Sequence, residues 1–294
     1  GPYGTGKTAF CNFLISLGCG DKEERAICME KLHSADANLA NRFKSFIKTS
    51  KDNIAPYIGV RAVSRYESLN STLIRALFNS LEALLDKSTS ANLKKLHSEV
   101  AVLVAKEWPP TKDVVAAYVQ LARLSKCKIF LVVDEFGKNL EYQVHNTARG
   151  DIFALQALAE SPNVFLWVCL HQAFSEYASS LSRVQKEEWQ KIQGRFEDKS
   201  YIEPPSRTFE LIRESLSLTP NGKNYQKLIG SWASEMAKAI RPLKIENWPQ
   251  IDEKEIAQIY PIHPLCAFFM GELTRRFAQN DRTLFSFLSS GEAR

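Results

Sequence analysis

The chain lacks any run of about eighteen uninterrupted apolar residues, the length that a membrane-crossing helix requires. Its first residues also lack the charged-then-apolar pattern of an export signal. The six cysteines, Cys11, Cys19, Cys28, Cys127, Cys169 and Cys266, include no C-x-x-C pair and no interleaved histidine at zinc spacing. They therefore read as reduced, mostly buried thiols. Neither sign of charge dominates: 38 Lys and Arg against 33 Asp and Glu leave a formal charge of +5, with the two signs interspersed. That balance permits nucleic-acid contact without arguing for it. These absences exclude a disulfide scaffold and a membrane span, and they predict a soluble, cytoplasmic protein with no membrane partner.

What is present is an ordinary globular composition, 45% hydrophobic and 24% charged over 294 residues. Such a length suits a main domain with a smaller satellite. Short apolar runs predict strands at Tyr57–Val63, which alternates at period two, at Lys128–Val133, at Asn163–Leu170 and briefly near Lys199–Ile202. Lys128–Val133 is continuously apolar and reads as a strand buried on both faces. Helical periodicity predicts one or two helices over 21–49, then helices near 70–86, 91–106, 112–124, 151–160, 173–181 and 184–194. Beyond Pro204 and Pro205 only helical patterns follow, at 207–216, 222–240, 253–258, 262–278 and 282–289. The expected architecture is a three-layer αβα core with a parallel sheet over 1–205, followed by a small all-helical lid over 206–294.

Gly1-Pro2-Tyr3-Gly4-Thr5-Gly6-Lys7-Thr8 fits G-x-x-x-x-G-K-[ST] and opens a helix marked by Ala9, Phe10, Phe13, Leu14 and Ile15. A glycine turn at a helix start presents backbone N–H groups to phosphate oxygens, because glycine lets the chain approach closely. Gly1, Gly4, Thr5 and Gly6 would supply that turn, Lys7 would reach the terminal phosphates, and the Thr8 hydroxyl would ligate magnesium. Such a loop normally follows a buried strand, so that strand is expected to lie outside the sequence, in a longer polypeptide.

The partner motif is Val133-Asp134-Glu135, at the carboxyl end of a buried strand, where open α/β sheets bind ligands. Asp134 would hold magnesium, and Glu135 would position or deprotonate an attacking water. A carboxylate for activating water favours hydrolysis of a nucleoside triphosphate. The guanine-selecting N-K-x-D pattern is absent, since Lys138-Asn139 runs in the wrong order, so ATP is the expected nucleotide.

The order of these motifs resembles an AAA+ P-loop ATPase, nearest the branch shared by origin-recognition-type and STAND ATPases. Asp134–Tyr142, Gln193–Asp198 and Gln279–Leu288 also resemble segments of ATPases from bacterial phage-defence loci of the BREX type. The resemblance implies a sensor-one residue after the third strand, either His171 or Gln172, and an arginine finger at Arg195 reaching a neighbouring subunit. A surface arginine paired with Glu197 or Asp198 is the plain alternative for Arg195. Further, the resemblance implies a lid sensor at Arg282, after Asn280-Asp281, with Arg275 and Arg276 as rivals. His263-Pro264 resembles a lid element of the STAND branch, although Pro261 and Pro264 equally suit a helix start. The implied partners are copies of the chain or other subunits of a defence complex. A nucleotide-gated switch with little turnover is the alternative reading. A DNA-binding remodeller, drawing on Arg61, Arg65, Lys94, Lys95, Arg275 and Arg276, is another.

Overall fold

A computed structural model describes residues 6–46, 57–146, 152–199, 205–216 and 225–277. They fall into two compact units, one within Gly6–Lys199 and one within the residues from Ser200 onward.

The first unit is α/β. Strands β1 (Tyr57–Val63), β2 (Lys128–Asp134) and β3 (Val164–Val168) form a parallel sheet in the order β1-β2-β3. The register places Val63 opposite Asp134 and Val133 opposite Val168. Side chains of a strand alternate between faces, and β2 uses both. Ile129, Leu131 and Val133 enter the larger core, while Phe130 and Val132 enter a second cluster with Cys11 and Cys169.

Helix α1 (Lys7–Cys19) covers the second face, packing Leu14, Ile15 and Cys19 beside that cluster. The approach is close at Gly59 of β1, where a Cβ would lie 2.8 Å from Ile15 Cγ2 and 3.1 Å from Cys19 Cβ. A side chain there would push α1 off the sheet. Helices α2 (Lys22–Ala35) and α3 (Ala37–Phe46) follow it, and Asp21 caps α2 by accepting from the Glu23 and Glu24 N–H groups at 3.0 and 2.9 Å.

The other face carries α4 (Leu69–Leu85), α5 (Ala91–Val104), α6 (Thr111–Ser125) and α8 (Phe153–Ala159). Ser68 caps α4 through the Ser71 N–H at 3.1 Å. Tyr118 of α6 is fully buried and donates its hydroxyl to the Leu73 carbonyl of α4 at 2.9 Å. The layout is therefore helices on both faces of a small parallel sheet.

Two local expectations are corrected. Residues 137–145 form α7 (Gly137–His145), which periodicity did not announce. The helix expected over 173–181 shrinks to α9 (Phe174–Tyr177) and a short 3₁₀ turn before α10 (Arg183–Gln193), whose start carries a Ser182/Gln185 capping box. Of the strand expected near Lys199–Ile202, all but Lys199 lies outside the described residues, as does the helix expected at 282–289.

The second unit is helical among its described residues: α11 (Pro205–Ser215), α12 (Gln226–Ile240), α13 (Glu253–Gln258) and α14 (Pro264–Phe277). Phe209, Ile212, Ile259 and Ala267 form its core, with Trp248 between Phe209 and Phe268 at centroid distances of 5.7 and 5.3 Å. His263 Nδ1 accepts from the Leu265 N–H at 3.2 Å, so it caps α14. No described helix is long and apolar enough to cross a membrane.

Leu131 is fully buried at the centre of β2. Leu131→Ala is expected to cost about 2–5 kcal/mol, through lost burial and the cavity left behind. Val102→Ala, at an exposed helical position, is expected to stay within about 0.5 kcal/mol. Denaturant midpoints at constant slope measure both.

Candidate functional site

The carboxyl ends of the strands are stitched together by the main chain. The Ser64 N–H donates to the Asp134 carbonyl at 3.0 Å, Cys169 N–H to Val133 at 2.8 Å, and Phe136 N–H to the Cys169 carbonyl at 3.1 Å. Asp134 closes β2 at this edge and is only 2% exposed. A buried carboxylate requires donors, and it has two: Thr8 Oγ1 donates to Oδ2 at 2.7 Å and the Glu135 N–H to Oδ1 at 3.0 Å, while Arg61 Nη2 forms an ion pair 3.5 Å from Oδ2.

Gly6 is left-handed, with φ 77° and ψ 13°, a conformation that costs glycine nothing, and its carbonyl accepts from the Phe10 N–H at 2.9 Å. The chain thus turns into α1 with Lys7 and Thr8 as its first residues. Lys7 is buried, and desolvation pushes its ammonium pKa down against the opposing pull of Cys169 and Asp134. An arriving anion would reverse that penalty.

Glu135 also has a left-handed backbone, φ 55°, which is uncommon for a residue with a side chain. Its carboxylate pairs with Lys138. His171, half-buried beyond β3, is held to a pKa of about 4, first by desolvation and then by the Lys7 charge, with Glu135 and Asp134 opposing. It is a neutral imidazole near pH 7. Gln172 is exposed.

Lys7, Thr8, Asp134, Glu135 and His171 therefore share one edge of the sheet. Arg195 does not. It pairs with Glu160, which lies just before β3 and so toward the opposite, amino-terminal edge. The plain alternative for Arg195 thus holds with another partner than Glu197 or Asp198, and Glu197 pairs with Lys199. Gly1, Gly4, Thr5 and Arg282 lie outside the described residues, and Arg275 and Arg276 fall within α14.

Sequence reasoning missed three participants. Arg61 stands in the sequence only among the basic residues of the DNA-binding alternative, and its approach to Asp134 depends on strand register. Lys138 had a signal, its position three residues after Glu135 at the start of α7. Asn139 is buried and donates to the Glu67 carbonyl at 2.9 Å and Thr72 Oγ1 at 3.0 Å, clamping the turn after β1.

An oxygen-only pair, hydroxyl and carboxylate in hydrogen-bond contact, is a donor set that suits a hard cation such as magnesium. Among the described residues no group of three or more His, Cys, Asp or Glu forms a metal cluster. No protein-family model matches the chain, and neither the curated proteins nor the solved structures contain a significant match to it.

The depressed His171 pKa has a consequence for stability. An unfolded chain protonates this residue near its ordinary value of 6.5, whereas the fold resists protonation until about 4. Stability is therefore expected to fall as pH drops from about 6.5 to about 4. His171→Gln should flatten that part of a thermal-midpoint profile against pH; an unchanged slope would contradict the assignment.

Proposed function

We propose that this chain is an ATP-binding and ATP-hydrolysing module of the AAA+ P-loop class. The observation that supports it most directly is the 2.7 Å hydrogen bond from Thr8 to Asp134, which joins motifs 126 residues apart in the chain. Two sequence patterns that each have plain explanations meet at one sheet edge, beside a buried lysine.

On this reading the glycine turn and the first turn of α1 face the phosphates, and Lys7 neutralises their charge. Thr8 and Asp134 would hold magnesium, which when bound neutralises charge on the terminal phosphates. Glu135 orients and deprotonates the attacking water. His171, neutral and beside both acids, or Gln172 aligns that water. Arg195, at the other edge of its own sheet, serves a neighbouring copy, which makes hydrolysis depend on assembly. Arg282 reports nucleotide state from the helical unit acting as a lid. The family resemblance extends the proposal to a cytoplasmic anti-phage defence complex, with copies of the chain or other subunits as partners.

One observation favours a second reading, a nucleotide-gated switch with little turnover. Glu135 is engaged by Lys138, so its carboxylate is occupied until that pair opens. The DNA-binding reading loses part of its basis, because Arg61 is directed toward Asp134.

Glu135→Gln is expected to lower steady-state ATP hydrolysis about 10²- to 10⁴-fold while ATP still binds. Lys7→Ala should abolish binding of a fluorescent ATP analogue. Turnover unchanged by Glu135→Gln would overturn the assigned base. Tight binding with negligible turnover in the unaltered protein would favour the switch.

A further inference from the structure

Cys11 and Cys169 are two thiols in hydrogen-bond contact, and nothing in the proposed hydrolysis uses them. Their sulfurs lie 3.2 Å apart, one thiol donating to the other, although the residues are 158 positions apart in the chain. Cys11 sits one helical turn beyond Lys7 on α1 and is fully buried; Cys169 directly follows β3 and is 6% exposed. Phe130 and Val132 complete the apolar side of the cluster, and Lys7 and Asp134 lie on its charged side. Both backbones are fixed. The Cys169 N–H and carbonyl are each bonded to the segment around Asp134, and α1 is pressed onto the sheet at Gly59.

We propose that Cys11 and Cys169 form a reversible intramolecular disulfide under peroxide, tying the helix that carries Lys7 and Thr8 to the end of β3. A disulfide is about 2.05 Å long, so the sulfurs need to close by only about 1 Å. The chemistry balances as two thiols and one hydrogen peroxide giving one disulfide and two waters. Peroxide first transfers an oxygen to the Cys169 sulfur, the more accessible of the two, releasing water and leaving a sulfenic acid. Cys11 then attacks that sulfur, the S–O bond breaks, and the departing hydroxide takes the Cys11 proton as the second water. A dithiol reductant reverses the linkage by exchange.

The remaining cysteines offer no comparable pair. Cys19 lies on the same face of the sheet, against Gly59; Cys28 and Cys127 are half-buried, and Cys266 is exposed. Regulation of the site is a second layer that rests on the nucleotide reading: phosphates seated over Lys7 would cover the approach to Cys169.

The test uses the unaltered, folded protein, treated with hydrogen peroxide and digested without reduction. The expected result is loss of two hydrogen masses and a linked peptide pair containing Cys11 and Cys169, both reversed by dithiothreitol. Cys19→Ser should leave the linked pair in place. Cys11→Ser should abolish it, with Cys169 accumulating added oxygen instead. Separate oxidation of Cys11 and Cys169 in the unaltered protein, or linkage through other cysteines, would overturn the proposal. MgATP is expected to slow linkage several-fold. A linkage rate that MgATP leaves unchanged would remove the nucleotide layer, while the disulfide itself would stand.

Discussion

A negative charge buried at the end of a central strand sets the terms for the first unit. Taking a carboxylate out of water costs several kcal/mol unless donors replace its hydration. Asp134 obtains them from the Thr8 hydroxyl and the Glu135 amide, and the Arg61 guanidinium adds an ion pair. Each partner belongs to a different part of the fold: the start of α1, the turn out of β2, and β1. The same contacts that make the charge tolerable therefore fix the start of α1 against the sheet. Lys7, buried beside them, has its charge opposed by desolvation and supported by Asp134.

The clamp beyond β1 follows the same logic with different chemistry. Burial opposes the charge on Glu67, yet hydrogen bonds from Arg75 and Thr72 outweigh it and hold the carboxyl below its usual range. Asn139 then ties the backbone of that turn to α7. The turn after β1 is thereby hydrogen-bonded to the helix that follows the Asp134-Glu135 strand end.

Much of this was legible in the sequence where the signal is local. Continuous apolar runs announced β2, both faces of which are covered, and β3, on which Phe165 nevertheless stays half exposed, and the glycine pattern announced the start of α1. Helix α7 was not legible, since Phe136 supplies no capping side chain and the segment begins at a glycine. Long-range pairings were invisible for a different reason. Arg61 meets Asp134 only through strand register, Arg195 meets Glu160 only because α10 packs near α8, and the cysteine pair has no spacing rule. Of the expected site, Lys7, Thr8, Asp134, Glu135 and His171 do gather at one edge, while Arg195 stands at the other.

Glu135 shows how a strand end can present two adjacent carboxylates to different surroundings. Alternation along β2 puts Asp134 on the same face as Val132, toward α1, and would send the next residue into the helical layer opposite. The left-handed backbone at Glu135 interrupts that alternation, and Phe136 takes the buried position instead, fully enclosed in the larger core. Glu135 is thereby released from both layers and remains partly exposed beside Lys138. The strain of a positive φ is offset by burying an aromatic ring rather than a charge. On the proposed reading this division of labour matters chemically: Asp134 is buried against Thr8 and the Glu135 amide, and the Glu135 side chain can exchange its ammonium partner for water.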